Sequence, residues 1–399
     1  MNILVLNSGS SSLKYKLIEI KTEKTIATGI CEKIGEPESL IRQENFDGKK
    51  FFKNISGINN HTDAFKCIQM FLTNPKSGVI KSFDEISAVG HRVVHGGENF
   101  KKPALINDAV ISEIESLIPL APLHNPAHLS GILACKEIFG DTIPQVAVFD
   151  TSFYSSLPKK SYMFPIPYKY YEKYHIRKYG FHGTSHKYVS KRYEILTKNH
   201  DAKIISCHLG NGSSITAIHA GVAVETSMGL SPLGGVMMGT RSGSIDPSVV
   251  LRIAQHENMT VSEMSDLLNN ESGLFGVSGV GSDDREILRA EQNGNPRAKL
   301  AHEMMIYQIS QFIGAYTVVL QGCNVIIFTG GIGENQWIHR KNICKNLEFI
   351  GVYIDDRLNE SAIFGEETKI SSMDSKIEVW VIPTNEEMEI AQETMNLLF

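Results

Sequence analysis

Apolar positions open the chain in an unbroken run, Ile3-Leu4-Val5-Leu6, which stops at the small, hydroxyl-rich stretch Asn7-Ser8-Gly9-Ser10-Ser11-Ser12. Alternation follows: Leu13, Tyr15 and Leu17 fall on one face, Lys14 and Lys16 on the other. This predicts strand, tight loop, strand. A second segment repeats that logic. The apolar run Ile204 to Cys207 meets His208-Leu209-Gly210-Asn211-Gly212-Ser213-Ser214 and resumes through Ile218. Two such hairpins about 200 residues apart suggest a duplicated core.

Between and after the hairpins the period changes. Ala64, Ile68 and Phe71 give residues 61–73 helical spacing; residues 108–117 and the long stretch 296–320 also read as helices. Residues 86–97 form a strand running into a glycine turn, residues 144–149 a short buried strand, residues 324–329 another, and residues 377–382 the last. A Glu-rich closing helix begins after Pro383-Thr384-Asn385. Residues 154–180, rich in Tyr, Lys and Pro, show no period and read as a connecting segment. Alternating strands and helices predict an α/β architecture, and 399 residues are too many for one typical core.

Composition narrows the function classes. A formal charge of −5 gives no reason to expect a nucleic-acid or membrane-surface binder. No run reaches membrane-spanning length. The six cysteines are scattered without a C-x-x-C pair, and no basic stretch precedes a long apolar run at the N-terminus, so a reduced, cytoplasmic protein is expected.

Neither a Walker A sequence nor a complete G-x-G-x-x-G occurs. His124 and His128 are four apart, but Pro126 between them disfavours a helical zinc pair. What remains is three loops at strand ends, residues 7–12, 208–214 and 330–335, whose small residues expose backbone donors to an anion. Tight turns alone would look the same. Two arginines stand in settings that demand an anionic partner: Arg92 among apolar residues and Arg241 in Met238-Gly239-Thr240-Arg241-Ser242-Gly243. That partner is either a structural carboxylate, the commoner case, or a substrate group. Asp150 ends an apolar strand, where it either caps a turn or orients a reactant. His182 lies in a glycine-flanked loop, and Glu386 and Glu387 start the closing helix, as helix-terminal charges or as magnesium carboxylates.

In order along the chain, Asn7 to Lys14, Gly90 to Gly97, His124-Asn125-Pro126, Phe149 to Phe153, Gly180 to His186, His208 to Ser214, Met238 to Gly243, Gly331 to Asn335 and Pro383 to Glu387 together resemble the acetokinase family, within the sugar-kinase, heat-shock ATPase and actin superfamily. The resemblance covers essentially the whole chain. It implies two ribonuclease-H-like (actin-like ATPase) domains with a cleft between them: residues 1–150 with 386–399, and a nucleotide-binding and dimerisation domain over 151–385. It implies reversible transfer of a phosphoryl group between ATP and acetate, yielding acetyl phosphate and ADP, with Mg2+ (Mn2+ as a substitute) and a homodimer.

The family's roles fall on matching positions here. Asn7 and Glu386 are expected to hold the metal, and Asp150, Arg92, His182 and Arg241 to carry catalysis, with Arg92 on the acetate carboxylate or on the moving phosphoryl group. Val94, Leu123, Phe181 and Pro232 would form the methyl pocket. Ser10, Ser12 and Lys14 would lie near the phosphates. His208, Leu209, Gly210, Asn211, Gly212, Asp283, Asp284, Arg285, Gly331, Ile332, Gly333, Glu334 and Asn335 would cradle the nucleotide. Two departures stand out. Ser244 occupies a position where the family usually shows Asp, with Asp246 or water expected to supply a replacement contact. Asp284 occupies one that is usually apolar, which puts purine preference in doubt. A propionate or other short-chain fatty-acid kinase is the alternative within this class, because one methylene changes binding by only about 1–3 kcal/mol. A nucleotide-dependent clamp that hydrolyses ATP without a small acceptor is the alternative outside it; Arg92, Asp150, His182 and Arg241 together speak against it.

Overall fold

The opening alternation produces the element it predicts. β1 (Asn2–Gly9) turns through Ser10 and Ser11 into β2 (Ser12–Glu19), and the two pair antiparallel with Gly9 opposite Ser12. The computed structural model describes residues 1–140, 142–363 and 365–399. It divides into two compact units, Met1–Ser155 with Asn385–Phe399, and Ser156–Thr384. The first unit runs past residue 150 because the buried turn Asp150–Tyr154 is tied to it: the Thr151 hydroxyl accepts from Gly96 N at 2.9 Å. It also takes Asn385, whose side chain caps the closing helix and accepts from Lys16 Nζ at 3.1 Å.

The first unit continues with β3 (Lys24–Glu32), β4 (Ser39–Asn45), β5 (Lys50–Ile55), β6 (Ile86–Val93), β7 (Ala104–Leu105) and β8 (Gln145–Phe149). Its sheet has the order β5-β4-β3-β2-β1-β6-β8-β7, with β1, β6 and β8 parallel. All five residues of β8 are buried, which explains an apolar run without alternation there. The helix His61–Thr73 forms where its spacing predicts, with Asn60 as N-cap, and packs Phe65, Ile68 and Phe71 into a core shared with Cys135 and Phe139 of the helix Asn125–Phe139. The closing helix Glu386–Leu398 lies against β6 at Gly90, where a Cβ would meet Thr394 Oγ1 at 2.6 Å.

The second unit contributes β9 (Lys203–His208), β10 (Ser214–His219), β11 (Val222–Thr226), β12 (Val325–Thr329), β13 (Thr368–Lys369) and β14 (Glu378–Val381). Their order is β11-β10-β9-β12-β14-β13, with β9, β12 and β14 parallel. In each unit, then, three antiparallel strands continue into two parallel ones, β3-β2-β1-β6-β8 and β11-β10-β9-β12-β14. The weak internal similarity of the two hairpins reflects this repeated ribonuclease-H-like order. The long helix Pro296–Val319, started by Asn295, buries Ala301, Met305, Ile309 and Ile313 in the core of this unit.

Two expectations are corrected. Residues 154–180 are not a plain connection: they hold two short helices, Lys159–Tyr162 and Lys169–Tyr174, and the Arg177 guanidinium lies 3.6 Å over the Tyr162 ring. Aromatic and cation–π packing over short distances leaves no helical period to read. Residues 330–335 are a short helix rather than an open loop.

Candidate active site

In the first unit the charged groups gather where parallel strands end. Arg92 is next to last on β6, and Asp150 follows the last residue of β8. The carboxyl ends of parallel strands are where α/β sheets hold ligands. The Arg92 guanidinium grips Asp150 from one edge: Nη2 donates to Oδ2 at 2.7 Å, and Nε lies 3.2 and 3.3 Å from the two carboxylate oxygens. Its Nη1 lies 3.7 Å from Glu386 Oε2. Asp150 is 1% exposed. Burial works against charge on Arg92, but Asp150 and Glu386 outweigh it and hold the guanidinium protonated. Burial also pushes the Glu386 carboxyl up; Arg92 opposes this, while Asp150 and Glu387 add to it.

Asn7 sits near the end of β1. Ser10 and Lys14 are exposed beside the turn, Ser12 is half-buried, and the His61 ring braces the turn through the Gly9 carbonyl at 2.8 Å. Lys16 holds Glu387 at 2.9 Å. Val94 is buried and Leu123 is 69% exposed in this unit. His128 is buried in its helix, and burial holds its imidazole neutral. The packing reading of that histidine is the one the structure supports.

In the second unit the site is built on a left-handed turn. His182 has φ 57° and starts the helix Gly183–Thr197. Its Nδ1 lies 3.0 Å from Ser214 Oγ, and its ring stacks 4.3 Å from that of His208. Gly212 marks where its other nitrogen points. A Cβ there would lie 3.5 Å from His182 Nε2 and 3.6 Å from Arg241 Nη1, so both side-chain heads face the Asn211-Gly212 turn. Arg241 donates to the Pro232 carbonyl at 3.3 Å, and among the described residues no carboxylate pairs with it. The expected structural partner is therefore absent, and burial lowers the guanidinium's proton affinity without relief. Phe181 is buried beside His182.

The remaining nucleotide candidates split. Asn211 and Arg285 are exposed, and Arg285 forms a forked pair with Asp283 at 3.0 and 2.6 Å. Gly331 and Asn335 are exposed, Gly210 and Ile332 half-buried. Others, Gly333 among them, are buried or held by internal contacts. Leu209 lies in the core, and its carbonyl accepts from Ile332 N and Gly333 N at 2.8 and 3.1 Å, clasping one loop to the other. Glu334 spends Oε1 on Gly330 N and Thr384 N. Asp284 is 5% exposed and bonded to His339 at 2.9 Å. Its carboxylate is thus turned toward the helix that carries His339. Ser244 also serves differently than expected: its own hydroxyl accepts from Gly235 N at 2.9 Å, while Asp246 caps the helix Pro247–Glu257.

Sequence reasoning passed over the supports behind His182. His186 bridges Ser206 and Ser214 at 2.8 and 2.7 Å, and Ser185 joins His208 to Thr384 at 2.8 and 2.7 Å. The run Thr184-Ser185-His186 was visible, but its partners lie on strands far along the chain.

Comparison with known proteins agrees with these features. The model of the acetokinase family matches residues 2–392. The acetate kinase of Caldicellulosiruptor saccharolyticus is 50% identical, with the whole of both chains covered, and that of Methanosarcina thermophila is 49% identical, covering 100% of this chain and 97% of its own. The crystal structure of Porphyromonas gingivalis acetate kinase superposes with a TM-score of 0.95 at 44% identity over the full length of both chains. A propionate kinase from Francisella tularensis gives 0.92 at 42% identity, covering 99% of each. With the repeated strand order, these matches assign the actin-like ATPase fold, and the chain belongs to the acetokinase family.

Proposed function

We infer that the protein is an enzyme that transfers the terminal phosphoryl group of ATP to acetate, giving acetyl phosphate and ADP, and catalyses the reverse. The observation that carries the reading is Arg241: a largely buried guanidinium with no carboxylate partner among the described residues, sharing the Gly212 turn with His182 Nε2. Such a pair suits an oxyanion that is not part of the protein.

Acetate is already a carboxylate at neutral pH, so its oxygen attacks phosphorus without a general base. The obstacle is bringing two anions together, and phosphoryl transfer is helped mainly by positioning and by neutralising charge. Arg92 offers acetate its Nη1 side, because Asp150 fixes its other edge. Asp150 is thus a positioning residue for Arg92. His182 and Arg241 stabilise the equatorial oxygens of the moving group, with His182 oriented by Ser214. The Asn211-Gly212 turn, Asp283 with Arg285, and Gly331 to Asn335 serve the nucleotide; Ser10, Ser12 and Lys14 serve its phosphates. Val94, Leu123, Phe181 and Pro232 supply the apolar surface for the methyl group.

A divalent cation fits the first unit. Asp150, Glu386 and Glu387 lie near Arg92 and bring carboxylate oxygens together there. Hard oxygen donors of this kind suit Mg2+ and also Mn2+. Asn7 and Glu386 would hold the ion, which when bound neutralises phosphate charge. A cytoplasmic homodimer belongs to the same reading, on the family resemblance; no helix among the described residues is long and apolar enough to cross a membrane.

The Francisella match favours one second reading, phosphorylation of propionate. Trapping acyl phosphate with hydroxylamine from acetate, propionate and butyrate, against a control without acid, separates the two. A stronger acetate signal supports the first reading and an equal or stronger propionate signal the second. ADP release with no trapped product refutes both.

A further inference from the structure

The second unit contains a polar cluster that the reaction does not use. Asp284 opens the helix Asp284–Gln292, His302 lies on the long helix Pro296–Val319, and His339 on the helix Trp337–Lys345. All three are buried, at 5%, 2% and 2% exposure. His339 Nε2 lies 2.9 Å from Asp284 Oδ1, and His302 Nε2 lies 3.3 Å from the same oxygen. The two imidazole rings are 4.6 Å apart and inclined at 62°. One donor atom from each of the three residues falls within 4.8 Å of the others.

Two further features point to a guest. Asp284 Oδ2 is buried without a hydrogen-bond partner, and His302 Nε2, though 3.3 Å from Asp284 Oδ1, makes no well-aligned hydrogen bond to it, although buried polar atoms are as a rule satisfied. The far side of His302 is also prepared. Its Nδ1 lies 2.5 Å from Glu291 Oε2, so a proton on Nδ1 leaves the Nε2 lone pair directed into the cluster. Carboxylate, imidazole and metal in line is the usual way a ligating histidine is oriented.

We propose that Asp284, His302 and His339 bind a divalent transition-metal ion, Zn2+ by preference, with Glu291 orienting His302. Two imidazole nitrogens and one carboxylate oxygen suit Zn2+, with water in the fourth position. The same set is too rich in nitrogen for Mg2+, which takes oxygen ligands and keeps its waters. Binding requires the atom facing the ion to be free of its proton on each ligand, so the His339–Asp284 hydrogen bond gives way to the metal. The ion then clasps three helices. One begins directly after Asp283; another follows Gly330–Asn335. It is a clamp beneath the segments assigned to the nucleotide, not a participant in phosphoryl transfer.

The test uses the full-length protein, stripped with chelator and titrated with Co2+ alone in excess Mg2+, which occupies the oxygen-rich site. One equivalent of Co2+ should give intense visible bands of a low-coordinate nitrogen–oxygen site, displaced by one equivalent of Zn2+. The wild-type melting temperature should rise by several degrees in Zn2+. His302→Gln and His339→Gln should each abolish the bands. Wild-type protein with neither bands nor a melting shift overturns the proposal, even if both variants fail to fold. Unchanged bands in the folded variants overturn it as well.

Discussion

Replacing Arg92 with alanine separates what holds the site together from what performs the reaction. Arg92 makes three close contacts with Asp150, which is 1% exposed, and stands 3.7 Å from Glu386. Two opposite charges about 4 Å apart attract by about 4 kcal/mol at an effective dielectric of about 20. Breaking a buried pair by removing one partner costs about 3–5 kcal/mol, because the other charge is left uncompensated. Arg92→Ala should therefore lose about that much stability in urea unfolding. Asp150→Ala with Arg92→Ala removes both charges and should recover part of it, with a coupling of about 2 kcal/mol. Turnover behaves differently. A guanidinium aimed at a developing charge is worth about 10²–10³ in rate, so acyl-phosphate formation should fall by that factor in the single variant and stay low in the double one. An Arg92→Ala protein that unfolds with the wild type refutes the stability argument. A double variant that regains turnover shows that Arg92 does not touch the reacting anions.

Arg241→Ala should leave stability within about 0.5 kcal/mol of wild type, since no carboxylate loses a partner; its turnover should fall by about 10²–10³, and near-normal turnover would contradict its role. His91 and His95 are buried, and burial lowers each imidazole to about 4. The unfolded chain then binds more protons than the native one between pH 6.5 and 4, so stability should decline as pH falls through that window, by at most about 1.4 kcal/mol per pH unit for each histidine. His91→Gln should flatten the slope in urea melts at pH 5; an unchanged slope assigns it elsewhere.

Local chemistry was legible in the sequence and long-range pairing was not. The β1-β2 hairpin follows from alternation around Gly9 and the serines, and the helices over 61–73, 108–117 and 296–320 follow from their local pattern. Both depend on neighbours within a few positions. The duplicated core was visible only as two similar hairpins, because the parallel strands β12 and β14 join β9 from more than 100 residues away. Asp284 shows the cost of reading locally. Between Asp283 and Arg285 it looks like part of a polar surface, yet its partners His302 and His339 lie on two other helices and turn it inward. Leu209 has two sides that its place in a glycine-rich turn does not reveal: its apolar side chain belongs to the core, while its backbone stays in the turn.

Each unit carries its own set of charged groups, and Glu386 is where the proposed cation site can be tested. In the first unit Arg92 meets three carboxylates, of which Lys16 satisfies only Glu387. Burial, with Asp150 and Glu387, pushes the Glu386 carboxyl up against Arg92 and Lys14, so its charged form is disfavoured there. In the second unit Arg241 has a cation's charge and no carboxylate, so it awaits an anion. On the proposed reading Mg2+ would join the first set and the transferring phosphoryl group would meet the second. Glu386→Gln removes the carboxylate while keeping the side chain's shape and its place on the closing helix. It should remove that penalty, leaving the protein as stable as wild type or more so, yet raise the Mg2+ concentration for half-maximal rate at least tenfold, the equivalent of about 1.4 kcal/mol of cation binding. Arg241→Lys, which touches only the anion side, should lower the rate without moving that Mg2+ midpoint. A Glu386→Gln enzyme with an unshifted midpoint would place the cation on other ligands.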